Sequence, residues 1–297
     1  MEIKEFLQHL VNGISLGSLY ALLAIGYTLV YGILRLINFA HGDIFMISTY
    51  AGFYLMSSAI LPWWIAFLLA IILTCILGIL VEKAAYRPLR DAPRISLLIS
   101  SIGMSYLIEN LAIVFFGGRP KTFPIPAIFD RIITIGSVKI PTLSFIIPVI
   151  TIIILAILLH IVHNTKTGMA MRAVSTDYEA ARLMAIDVNK IITFTFAVGS
   201  TLAAVGGIMW GMKYPSLIPL MGVMPGIKCF IAAVVGGIGN IRGAVLGGFI
   251  LGLGEIMLVA FMPALSGYRD AFAFILLIFI LLAKPTGLMG KNLAEKV

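Results

Sequence analysis

Three polar side chains, Asn38, His41 and Asp43, stand within six positions at the edge of a long uncharged stretch. A carboxamide, an imidazole and a carboxylate so close together could hydrogen-bond a polar solute or ligate a metal ion. A lone carboxylate, Glu255, stands near the middle of the otherwise uncharged run Ala244–Met262. A third group, Thr176-Asp177-Tyr178-Glu179, has the spacing of a capping box, in which a Thr and a Glu three residues on satisfy orphan backbone donors at a helix start. What these groups can do depends on the medium around them, and composition settles that medium.

The hydrophobic fraction is 61% and the charged fraction 11%, against ~45–50% and ~25% in soluble domains. A soluble chain of 297 residues could not hide so much apolar surface. Runs of about 20 apolar residues, without the short alternation of barrel strands, indicate spanning helices. Charges and turn residues divide the chain into about nine such segments, near 10–34, 38–60, 63–81, 95–116, 142–163, 191–212, 226–239, 244–262 and 271–283. The seventh carries Lys228 and is too short for ~30 Å of hydrocarbon, so it reads as a half-span or re-entrant segment. The expected fold is an all-α polytopic membrane protein with about nine transmembrane helices (eight to ten), some short or broken. No linker divides residues 1–297, which read as one membrane domain. The uncharged stretch Leu10–Leu34 exceeds a signal-peptide core and reads as an uncleaved first helix.

The net charge of +8 comes from basic residues scattered among loops, the pattern that orients spans and not one that binds nucleic acid. Cys75 and Cys229 lie in different apolar segments, as small hydrophobes do. Between two uncharged stretches lies a polar island, Asn164–Lys190, carrying seven charged residues. Placing it inside and alternating outward puts thirteen of the 21 Lys and Arg residues on the inner side, with the C-terminus.

In hydrocarbon, polar groups face protein or a water-filled path. Asn38, His41 and Asp43 therefore either line a translocation path or form a satisfied network fixing the first two spans together. Glu255 is either functional or a buried interface hydrogen bond. No set of four ligands at metal-site spacing occurs, and no nucleophile near His41 and Asp43 supports an enzyme. Gly239, Gly243 and Gly247 recur every four residues, as do Gly248 and Gly252, a spacing that lets helices approach closely and is also found where transporter helices break. In the island, Thr176 is the expected N-cap, with Asp177 and Glu179 favourably placed in the first turn. A helix from about Asp177 to Ala185, roughly 13 Å long, would put Val174, Tyr178, Ala181 and Ala185 on one face with Arg182 beside it. So short a helix needs a surface to lie on.

Glu179-Ala180-Ala181 followed by a small residue at Ala185 resembles the EAA loop of ABC-importer permeases. The usual glycine is Ala185 here and the later Leu-Pro is missing; with Ala, any turn at that position is expected to use an ordinary helical backbone. A wider likeness supports it. Residues 12–43, NGISLGSLYALLAIGYTLVYGILRLINFAHGD, resemble the opening of branched-chain amino acid permeases of the LivH type. The similarity continues through EKAAYR at Glu82–Arg87, TGMAMRA at Thr167–Ala173, GVMPGIKCFIAAVVGGIG at Gly222–Gly239, the Gly243–Glu255 run and KPTGLMG at Lys284–Gly290.

The resemblance implies a permease domain with a cytoplasmic coupling loop at 164–190, in a multi-pass protein of the prokaryotic inner membrane. Gly168, Arg172, Thr176, Asp177, Glu179, Ala180, Ala181 and Arg182 would carry the coupling. It implies four partners: a second homologous permease, two cytoplasmic ATPase subunits, and an extracytoplasmic amino-acid-binding protein. The sequence contains no G-x-x-x-x-G-K-[ST] phosphate loop, so ATP and Mg would be bound by the partners and no cofactor by this chain, which is not an enzyme. A permease of the same family for urea or short amides, and a stand-alone ion-coupled carrier, are the alternatives.

Overall fold

A computed structural model describes residues 3–58, 60–90, 92–135 and 138–290. Uncharged runs become helices because a backbone in hydrocarbon must satisfy its own polar groups. They are α1 (Ile3–Leu34), α2 (His41–Ser57), α3 (Trp63–Val81), α4 (Arg94–Phe116), α5 (Thr142–Asn164), α8 (Val188–Lys213), α9 (Val223–Gly236), α10 (Ile241–Phe261) and α11 (Arg269–Ala283). The polar island forms two short helices, α6 (Lys166–Thr176) and α7 (Tyr178–Leu183). Pro62 and Pro93, both extended, stop the preceding chain and open α3 and α4, while Gly117 at φ 77 ends α4. Two antiparallel ribbons complete the architecture: β1 (Lys121–Thr122) with β4 (Ser216–Leu217), and β2 (Ile132–Ile135) with β3 (Val138–Pro141).

Among the described residues, 7 helices are long and apolar enough to cross a membrane. The fold is all-α and polytopic. α2, with 17 residues, and α9, with 14, fall short of the ~20 a straight span needs. Helix α3 does not stop at Val81. It runs on through a π-helical turn, Glu82–Tyr86, into a 3₁₀ turn, Arg87–Leu89. Leu68, Ile72, Ile76 and Leu80 on α3, and Ile275, Ile278, Phe279 and Leu282 on α11, are exposed apolar side chains suited to lipid.

The chain divides into two compact units, one of Met1–Thr28, Ile128–Thr151 and Lys228–Val297, the other of Leu29–Ala127 and Ile152–Ile227. Three of the four boundaries fall inside α1, α5 and α9, and the fourth, between Ala127 and Ile128, in the loop between β1 and β2. In the first unit α1 and α10 cross on small residues: a Cβ on Gly252 would strike the Gly17 backbone, and one on Gly248 would strike Ala21. α10 also packs on the half-length α9 through Gly243 against the Gly236 carbonyl and Gly247 against the Ala232 carbonyl. Gly239 lies outside both helices, in their connecting turn, at φ 87. In the second unit α2, α3 and α8 pack on one another. The Thr49 hydroxyl donates to the Gly207 carbonyl at 2.9 Å, and the Phe123 ring sits against Gly52 and Gly211.

Candidate coupling loop and buried polar sites

The island is built from its turn residues upward. Thr165 caps α6, its hydroxyl oxygen accepting from the Gly168 amide at 3.1 Å while donating to the Ile161 carbonyl at 2.5 Å. A Cβ on Gly168 would collide with the carbonyls of Ile161 and Val162, so α6 folds directly back on the end of α5. The Arg172 guanidinium donates to the Val162 carbonyl, supplying one of the orphan acceptors at the C-terminus of α5. Gly168 and Arg172 thus act within this chain. Both hold the island against the bundle.

The N-cap of α7 is Asp177, not Thr176 as the capping-box pattern suggested. Asp177 is extended, and its Oδ1 accepts from the amides of Glu179 and Ala180 at 2.9 and 3.1 Å. Thr176 is still inside α6, with its hydroxyl donating to the Arg172 carbonyl at 3.0 Å. The real cap is one residue later, so Glu179 sits one position too early in the helix to complete a box.

The helix also ends sooner than expected, at Leu183. Ala185 adopts φ 60, in the left-handed region, and an ordinary helical backbone there is overturned. The Ile186 amide bonds to the Ala181 carbonyl at 3.1 Å and the Ala185 amide to the Arg182 carbonyl at 3.0 Å. These two bonds form a Schellman stop, which offsets the alanine's strain of ~1–2 kcal/mol. Ala185 is therefore exposed and not on the inner face.

Ala181 and Val174 are buried, and the Tyr178 hydroxyl donates to the Ile33 carbonyl at the end of α1. Burial pushes the Tyr178 phenol up, partly opposed by Arg90 and Arg35. Glu179, Ala180 and Arg182 face outward. Beside them stand Leu183, 87% exposed, and Met184, 77% exposed. Sequence reasoning missed these two; the signal was a pair of large apolar residues in the last turn of an otherwise polar helix.

A second feature passed unassigned. Glu82, fully buried in the π turn, pairs with Arg90 at 2.6 Å and Arg87 at 3.2 Å and accepts from the Thr193 hydroxyl at 3.0 Å. Arg90 also donates to the Asn189 side chain. This cluster ties the end of α3 to the first turns of α8. π turns recur at functional sites, but the turn itself leaves no mark in the sequence.

The membrane-depth candidates do not act as one group. All four are buried. Asn38 Oδ1 accepts from the Tyr86 hydroxyl at 2.9 Å, and Asp43 Oδ2 from the Ser105 hydroxyl at 2.5 Å. These two bonds run to the π turn and to α4. Gly42, between His41 and Asp43, leaves room for the start of α9: a Cβ there would lie 2.5 Å from the Gly222 carbonyl oxygen and 3.0 Å from Gly226 Cα.

In the other unit Glu255 meets Lys228 Nζ at 2.8 Å and the Tyr20 hydroxyl at 3.2 Å, and Lys228 also reaches Asp270 at 2.8 Å. The sequence showed Lys228 only as a charge interrupting a short segment. Opposite charges isolated in neighbouring apolar runs were the available clue to the pair.

The family described as the permease component of branched-chain amino acid transport systems matches residues 9–281. A high-affinity branched-chain amino acid transport permease, BraD of Pseudomonas aeruginosa, is 41% identical over 100% of this chain and 99% of its own length. LivH of Salmonella typhimurium, which carries the same description, is 39% identical over 98% of each chain. Among solved structures, PsaBC from Streptococcus pneumoniae in complex with Fab is similar in fold, with a TM-score of 0.50 and 16% identity over 96% of this chain and 94% of that one. With a match this long and relatives this similar, the chain belongs to the family of branched-chain amino acid transport-system permease components.

Proposed function

We propose that this chain is the permease subunit of an ATP-driven importer that carries branched-chain amino acids across the prokaryotic inner membrane, with the island and C-terminus in the cytoplasm. The observation that carries the reading is α7. It is capped at both ends, anchored underneath by Ala181 and Tyr178, and presents Glu179, Ala180, Arg182, Leu183 and Met184 outward. A polar helix with an exposed apolar tip, on a chain with no phosphate loop of its own, suits docking into a groove of a separate ATPase subunit. Two such ATPases, a second homologous permease and an extracytoplasmic binding protein complete the transporter. ATP and Mg belong to the ATPases.

In this mechanism ATP binding draws the ATPases together and pushes on α7. Gly168 and Arg172 keep α6 seated on α5, so the island moves as a piece with the span. Thr176 and Asp177 set the angle between α6 and α7. Through Arg90 the push reaches Glu82 and the ends of α3 and α8. Asn38, His41 and Asp43 lie at or just before the start of α2, beside the start of the short α9, and are the candidates for the translocation path. Glu255, already paired with Lys228, is read as a fixed interface charge.

Two variants test the docking reading in vesicles containing the full transporter. Glu179→Lys and Leu183→Asp should leave the permease in the membrane while abolishing ATPase binding or separating ATP hydrolysis from uptake. Normal uptake in both would defeat the assignment of α7. A ligand screen on the cognate binding protein tests the substrate: urea or a short amide bound with leucine ignored would replace the substrate class but not the permease.

A further inference from the structure

Beside α7 opens a cavity of about 540 Å³, bounded by the end of α1, by Tyr86 and Arg90 on either side of the 3₁₀ turn, and by the start of α4. Four arginines line it, Arg35, Arg90, Arg94 and Arg182, against two carboxylates, Asp177 and Glu179. No ion pair joins any of these arginines to either carboxylate, and Asp177 Oδ1 is already engaged by two α7 amides. Among the described residues the Arg35 guanidinium donates only to the Ser175 carbonyl, at 3.3 Å, from a backbone held at φ 52. The guanidinium groups of Arg94 and Arg182 make no hydrogen bond or ion pair among the described residues, and Arg90 Nε is buried without a hydrogen-bond partner. Burial lowers the proton affinity of the Arg90 guanidinium, and repulsion from Arg87 and Arg182 adds to this while Glu82 opposes it. Arg90 is balanced by Glu82 at 2.6 Å, so among the described residues the excess positive charge of the cavity wall comes from Arg35, Arg94 and Arg182.

We infer that this cavity binds a phosphate-bearing anion, the headgroup of an anionic phospholipid, held between the coupling helix and the inner ends of α1 and α4. Guanidinium forks match phosphate oxygens bidentately, and basic pockets between spans on the cytoplasmic side take acidic headgroups. What favours a lipid over free phosphate is the neighbouring surface. Ile95, 72% exposed, and Ile99, 62% exposed, follow Arg94 on one face of α4 and offer an apolar track for acyl chains beside the charged mouth. A bound headgroup would brace α7 against the membrane, so membrane composition would tune the coupling of ATP hydrolysis to transport.

The test uses the purified transporter complex, loaded with phosphatidylglycerol, washed with detergent and weighed by native mass spectrometry for retained lipid. Arg35→Gln/Arg94→Gln removes two exposed charges that the docking surface does not use. Retention should fall roughly 25-fold, from a factor of about five for each arginine near an anionic surface. Arg94→Lys should keep most of it, and phosphatidylcholine should be retained by neither protein. An unchanged melting temperature in the double variant would place a fall in retention on binding and not on folding. Equal retention of phosphatidylglycerol by wild type and double variant would overturn the inference. So would retention unaffected by the variants combined with saturable binding of inorganic phosphate, which would assign the cavity to a free anion. Loss of ATPase subunits with normal lipid retention would overturn it too, since an acidic side chain of the ATPase would then be the occupant.

Discussion

Replacing Lys228 by Met tests the buried ion pair directly. Lys228 Nζ lies 2.8 Å from Glu255, whose side chain is 2% exposed, and 2.8 Å from Asp270, whose side chain is 55% exposed. The Asp270 contact is open to solvent and contributes about 0–1 kcal/mol. The Glu255 contact is different, because removing the lysine strands a carboxylate with only the Tyr20 hydroxyl, 3.2 Å away, for company. Breaking one side of a buried pair costs about 3–5 kcal/mol. At about 2–4 °C per kcal/mol, the melting temperature should drop by roughly 10 °C. The double variant Lys228→Met/Glu255→Leu removes both charges and replaces them with apolar volume, which is often neutral or stabilising. It should recover most of the loss. The assay is thermal unfolding in nanodiscs followed by leucine uptake with the full transporter. A double variant as unstable as the single, or a single variant that melts like wild type, would refute the reasoning. If the double variant melts normally but cannot transport, Glu255 belongs to the translocation machinery.

Three further outcomes are expected. Asp177→Ala should destabilise the island by about 1 kcal/mol while Thr176→Ala changes it far less; amide hydrogen exchange across residues 177–183 separates the two, and the reverse order would restore Thr176 as the cap. Ala185→Gly should stabilise the turn by about 1 kcal/mol, because glycine adopts φ 60 without strain, and slower exchange at the Ile186 amide would report it. Glu82→Gln should lower uptake per ATP hydrolysed more than it lowers ATPase binding, since Arg87, Arg90 and Thr193 hold Glu82 apart from the proposed docking surface; an unchanged ratio would remove the cluster from the proposed transmission path.

Much of this architecture was legible because hydrocarbon imposes a strict rule on the chain. The nine apolar segments all become helices, and the shortness of the seventh, with Lys228 at its start, anticipates the half-length α9. Capping was only partly legible. Thr176 and Asp177 are both good N-cap residues, and the choice depended on where α6 ended, which is settled by Gly168 and Arg172 folding it against α5. The left-handed Ala185 ran against a sound propensity argument because two closing hydrogen bonds outweigh a small backbone strain. The π turn at Glu82–Tyr86 has no sequence signature, so the Glu82 cluster stayed hidden among residues noticed only for their family likeness.

The sequence alone determined the medium, the helical class, the family and the polar island, since each rests on composition or on local runs of residues. Only the tertiary structure decided which charges are partners. Lys228 and Glu255 are 27 positions apart, Glu82 and Thr193 are separated by 111, and Tyr178 reaches back 145 to Ile33. A buried charge is tolerable only beside its complement, and that complement is chosen by which helices meet, a property of the whole packing that no local run of residues encodes.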